Sequence, residues 1–179
     1  MRKALVRPFW RTTLMNIKEY IKEQRLITDG AMGTYYEEKY SEDTVIAEKE
    51  NLKNPEQIKE IHLEYLRAGA RLIRTNTFAA NTMFLADMQE VKETVRAGYE
   101  IAKEAVTAFQ AENGKDIPVF IGADLGPIYD LDHQDYDNVL QEYKEICDTF
   151  LSCGADCFVF ETQSDFTYIE HILRWKSVV

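Results

Sequence analysis

The sequence predicts an α/β fold in which helices flank a parallel sheet. Three observations carry this. Short apolar runs alternate four times with helix-patterned segments. Several of these runs are continuously apolar, as strands buried on both faces are. Finally, "YLRAGARLIRTNTF" (65–78) aligns with "FLSCGADCFVFETQ" (150–163). Each reads helix end, Gly-Ala, apolar strand, then a polar strand end with a threonine, as repeated βα units would.

The elements follow in order. Residues 1–14, "MRKALVRPFWRTTL", hold Arg2, Lys3, Arg7 and Arg11 and no acid. Arg7 and Pro8 interrupt any signal-peptide core. The segment reads as a poorly ordered extension upstream of a natural start at Met15, with an organelle transit peptide as the weaker alternative. The domain proper is expected over 15–179. Its four strands are expected at Leu26–Asp29, Arg71–Phe78, Val119–Gly126 and Cys157–Gln163.

The first long helix, "NPEQIKEIHLEYLRAG", places Ile58, Ile61, His62, Tyr65 and Leu66 on one face. Asn54 is its expected cap, Pro55 fits the first turn, Gln57 sits at the third position and Gly69 ends it. The second helix carries Val91, Val95, Tyr99, Ala102, Val106 and Phe109. The third carries Val139, Leu140, Tyr143, Ile146, Cys147, Phe150 and Leu151 and stops at Gly154. The fourth begins near Asp165 and carries Phe166, Ile169, Ile172 and Leu173.

Bulk properties narrow the function. The 179 residues suit one core, and 45% hydrophobic with 29% charged residues is a globular composition. A net charge of −10 argues against nucleic-acid and anionic-membrane partners, which recruit basic patches. No apolar run has the length of a membrane span. Three cysteines without framework spacing fit a reducing, cytoplasmic setting.

The chemistry concentrates where the strands give out. Asp29, Asn76 with Thr77, Asp124, and Glu161 with Thr162 each terminate an apolar run. In a parallel α/β fold those ends share one side, the side where barrels and open sheets both build their sites. The "DGAMGT" loop has a G-x-x-G spacing, no following lysine and an acid at its start, so it is a poor phosphate cradle. Its carboxylate suits an ammonium group or an orienting hydrogen bond. Glu161 has two readings: a second carboxylate for a cationic amino group, or a structural partner for an arginine such as Arg74. Cys147, Cys153 and Cys157 lack a zinc-ligand spacing and read as structural thiols. His62 reads as an interhelical polar residue, His133 and His171 as surface positions.

The ordered motifs "LITDGAMGT", "NLKNPEQIKEIHLEYLRAGARLIRTNTFAAN", "FIGADLGP" and "GADCFVFET" resemble the homocysteine S-methyltransferase family. That family includes the homocysteine domain of cobalamin-dependent methionine synthase. The resemblance runs from about Leu26 to about Ile172. It implies a (β/α)8 barrel that transfers a methyl group to the homocysteine thiol, giving methionine, with a zinc ion on three cysteine thiolates activating that thiol. It implies further that Asp29 and Glu161 hold the substrate's amino group, that Gly30 and Ala31 let it approach the backbone, and that Asn76, Thr77 and Asp124 line the same mouth.

The family's zinc cysteines belong to late-barrel motifs that this sequence lacks, so no metal ligand is assigned here. A full barrel needs roughly 250 residues. Four βα units make the N-terminal half of a (β/α)8 TIM-type barrel, expected to be inactive alone and prone to self-association through uncovered edges. The expected partners are homocysteine and a methyl donor or its carrier module. The donor, methylfolate or methylcobalamin among the options, is not legible. A non-catalytic half-barrel that binds or assembles is the competing reading. A phosphate-binding barrel enzyme is disfavoured by the missing lysine and phosphate loop.

Overall fold

The computed structural model describes residues 16–40, 46–129, 135–164 and 166–175. The basic leader, Met15, His133 and Asp165 lie outside the described residues. The sheet has three parallel strands in sequential order, β1 (Leu72–Arg74), β2 (Phe120–Leu125) and β3 (Phe158–Phe160). Leu72 pairs with Phe120 and Arg74 with Gly122; Ala123 pairs with Phe158 and Leu125 with Phe160.

The expected first strand is reduced to one parallel bridge, Thr28 with Leu72. The Asp29 amide donates to the Leu72 carbonyl at 3.0 Å, and the Arg71 amide to that of Ile27 at 2.8 Å. The segment therefore sits in register at the β1 edge without becoming a ladder. Its Ile27 is 58% exposed, so only part of this run has a core to enter.

The helices are α1 (Ile17–Glu23), α2 (Gly33–Tyr40), α3 (Glu50–Lys53, after a 3-10 turn at Ala47–Lys49), α4 (Pro55–Arg67), α5 (Met88–Asn113), α6 (Tyr136–Ser152) and α7 (Thr167–Trp175). The expected helices are α4 to α7; α1, α2 and α3 are additional. Asn16 caps α1, accepting from the Glu19 amide at 2.9 Å. Asn54 stands at the start of α4 but makes no capping bond: its Nδ2 donates instead to Glu50 at 2.6 Å. Pro55 sits at the first position of α4, as expected.

The core lies between sheet and helices. Leu63, Leu66, Ile73, Ala102, Ala105 and Phe109 join α4 and α5 to β1. Val95, Tyr99, Ala123, Leu125, Ile146 and Phe150 join α5 and α6 to β2. In α7, Ile169 and Ile172 are buried, but Leu173 is 52% exposed and Phe166, just ahead of the helix, 65% exposed. The stripe expected there is thus half covered. Among the described residues no helix is long and apolar enough to cross a membrane.

The internal repeat is structural. The Gly69 amide donates to Leu66 and that of Ala70 to Tyr65; the Gly154 amide donates to Leu151 and that of Ala155 to Phe150. Gly69 (φ +112°) and Gly154 (φ +91°) hold the left-handed conformation this helix ending requires.

Candidate active site

A cleft of about 320 Å³ opens at the C-terminal ends of the strands. It is lined by all seven residues singled out from the sequence: Asp29, Gly30, Ala31, Asn76, Thr77, Asp124 and Glu161. The strands deliver them because parallel pairing puts every strand end on one side. Met32, Thr34, Glu48, Arg74, Thr75 and Phe78 complete much of the wall.

Arg74, the last residue of β1, dominates the electrostatics. Its Nε donates to Asp29 Oδ1 at 2.9 Å, its Nη2 to the Gly30 carbonyl at 2.8 Å, and its Nη1 to Glu161. The Arg74 amide also donates to Asp29 Oδ2 at 2.8 Å. One guanidinium thus clamps both carboxylates expected to hold a substrate's amino group. The structural reading of Glu161 as an arginine partner is realised. Burial pushes the Asp29 carboxyl up, and its bonds to Arg74 pull it part of the way back.

Asp124, near the end of β2, has no such partner. It is 3% exposed, and its Oδ1 has no hydrogen-bond partner. Burial, followed by the negative charge of Glu161, pushes its carboxyl up to about 8, against the pull of Arg74. Its backbone is fixed: the Asp124 amide donates to Thr75 Oγ1 at 3.0 Å, and Thr77 Oγ1 donates to the Asp124 carbonyl at 2.8 Å.

The other lining residues do structural work as well. Asn76 Nδ2 donates to the Ala47 carbonyl at 2.7 Å and to Asn51 Oδ1 at 2.9 Å, so its amide ties β1 to α3 rather than standing free in the cleft. A Cβ on Gly30 would lie 2.8 Å from the Tyr65 hydroxyl, which donates to the Ala31 carbonyl at 2.8 Å. A side chain at 30 would therefore make Tyr65 shift and strain its bond to Ala31, whatever approaches from the cleft. Thr162, directly after Glu161, has φ +57°, an uncommon conformation for a β-branched residue and one that marks a constrained turn.

Glu48 escaped the sequence reading. It is buried, its Oε1 accepts the Ala79 amide at 2.7 Å, and burial pushes its carboxyl up. It stands on the turn before α3, where no strand end marked it.

The residues present do not fit the zinc site that the resemblance implies. Cys147 is buried in the α5–α6 core, and Cys153 and Cys157 lie outside the cleft lining. Among the described residues no group of three His, Cys, Asp or Glu side chains could hold a metal ion.

A parallel α/β sheet whose strand ends converge on an acidic cleft defines the class: the site-bearing face of a barrel-type enzyme fold. The family model for homocysteine S-methyltransferase matches residues 26–178. The chain belongs to the homocysteine S-methyltransferase family. It is 30% identical over 165 residues to the homocysteine S-methyltransferase of Escherichia coli (strain K12), covering 83% of this chain and 53% of that protein. It is 27% identical over 164 residues to the methionine synthase of Mycobacterium leprae (strain TN), covering 84% of this chain and 13% of that protein.

The metallated form of the Escherichia coli homocysteine methyltransferase MmuM superposes with a TM-score of 0.75 at 26% identity, covering 89% of this chain and 62% of that one. The oxidised form gives 0.76. The fold is therefore a partial (β/α)8 barrel, its N-terminal part. The chain spans about half the length of the homocysteine S-methyltransferase it matches.

Proposed function

We propose that this chain forms the amino-acid-binding part of a homocysteine S-methyltransferase, whose reaction moves a methyl group onto the homocysteine thiol to give methionine. The observation that carries the proposal is the convergence of Asp29, Asp124 and Glu161 on one cleft at the strand ends. An acidic wall attracts the substrate's ammonium group, and the Gly30–Ala31 backbone lies where the amino-acid moiety would rest.

Thiol activation has a general requirement. A free thiol near pKa ~8.5 is mostly protonated at neutral pH and must lose its proton to attack a methyl group. Among the described residues no group of three His, Cys, Asp or Glu side chains could hold a metal ion for that step, so activation, zinc-dependent in this proposal, is assigned outside them. The chain by itself forms no methionine.

Calorimetric titration with L-homocysteine and with L-methionine tests the reading. Saturable binding is expected for both, and N-acetylation of the ligand should abolish it. An absence of saturable binding to either amino acid overturns the proposal.

A further inference from the structure

Four carboxylates line the cleft, Asp29, Glu48, Asp124 and Glu161. The Asp124 side chain shares a hydrogen bond with Glu161, yet it alone among the four keeps a buried oxygen with no partner. Asp29 gives one oxygen to the Arg74 amide and the other to Arg74 Nε. Glu161 is paired with Arg74 Nη1. Asp124 is nine-tenths buried or more, lines the cleft and keeps Oδ1 without a partner. A buried acceptor left open is costly unless something fills it.

We propose that Asp124 is the carboxylate that receives the ligand's ammonium group, with Arg74 as the positioning residue that keeps Asp29 and Glu161 engaged. The inference rests on the amino-acid-binding role proposed above and names the acceptor within it.

A proton balance follows. The charged groups facing Asp124 are Glu161 after β3, Arg74 on β1 and Asp29 on the edge segment; Glu48 lines the same cleft from the turn before α3. Burial and the excess of acids over the single Arg74 cation keep Asp124 in its neutral form at pH 7. An incoming ammonium supplies the missing positive charge. The Asp124 O–H bond then breaks, the carboxylate pairs with the ammonium, and the proton passes to buffer. Nothing is oxidised or reduced.

L-Methionine is the suitable probe, since its thioether does not titrate and its amino group is already protonated at pH 7. Calorimetric titration of the full chain in phosphate and in Tris, whose ionisation enthalpies differ, counts the protons released. The expected count is roughly one per ligand, with affinity rising between pH 6 and pH 8. Asp124→Asn is isosteric with the neutral acid and should keep the fold, which a thermal unfolding scan checks. It should release no proton and bind roughly tenfold or more weakly, as when a charged hydrogen bond is lost.

Methionine binding without proton release in the unmodified chain, or with unchanged affinity in Asp124→Asn, overturns this inference and leaves the amino-acid-binding role standing. No saturable binding of methionine overturns both.

Discussion

Segments 65–78 and 150–163 are built alike and deliver opposite charges. Both close a helix with the same pair of backbone bonds, turn on a left-handed glycine and enter a parallel strand. The first delivers Arg74 to the cleft, the second Glu161, and the two meet as an ion pair. What differs is the anchor beneath. Phe150 is fully buried, edge-on to Tyr99 and Phe158. Its counterpart Tyr65 is part-buried and spends its hydroxyl on the Ala31 carbonyl. Three residues earlier the pair is Cys147 and His62, a thiol in packing against an imidazole with neither nitrogen bonded. The backbone of the unit is thus a shared scaffold, and the second copy is seated in the core while the first is turned toward the site.

Breaking the better-seated copy should cost most. Phe150→Ala removes a wholly buried ring and should lower stability by about 4 kcal/mol, read from the denaturation midpoint at constant slope. Arg74→Leu strips the counter-charge from Asp29, whose side chain is 3% exposed, and should cost about 3 kcal/mol. A loss under about 1 kcal/mol would mean that the clamp contributes to charge arrangement and not to folding. Gly30→Ala drives a methyl toward Tyr65 and should cost about 2 kcal/mol. Tyr65→Phe in the same chain should recover part of that, so the double variant will fall short of additivity.

His62 sharpens the contrast through pH. Burial lowers its pKa to about 4, below the unfolded 6.5. The unfolded chain therefore binds more protons between those values, and stability present above pH 6.5 is lost as pH falls toward 4. His62→Cys, which copies the second unit, should flatten that decline by roughly 1 kcal/mol per pH unit across the window. Parallel acid limbs in the two proteins would contradict the assignment. Tyr65→Phe alone should be mildest, near 1 kcal/mol for one hydrogen bond.

Much of this was legible in the amino-acid order. The α4 to α6 stripes and both glycine stops were readable because helix periodicity and left-handed turns are local. The strand-end rule found five cleft residues, Asp29, Asn76, Thr77, Asp124 and Glu161, because parallel pairing translates sequence position into one face; Gly30 and Ala31 came from the family resemblance. Other features depend on distant partners. Leu26–Asp29 reads as a strand, yet it has one neighbour and keeps one bridge. Asn54 reads as a cap, but its Nδ2 donates to Glu50 and its side chain makes no capping bond. Glu48 enters the cleft because the turn before α3 is tied to Asn76 and Ala79 in the segment after β1, and no local pattern announces that. The grip of Arg74 on Asp29 as well as Glu161 required three chain segments to be brought together.

The Thr28 bridge has a kinetic consequence. Asp29 rides on a segment fastened to the sheet edge by a few amide bonds and by Arg74, whereas Asp124 is set in a strand paired on both sides. Edge segments of this kind open far more often than central strands. Each opening carries one wall of the cleft away while the floor stays in place. Amide-exchange protection is therefore expected to be lower around Asp29 than around Asp124.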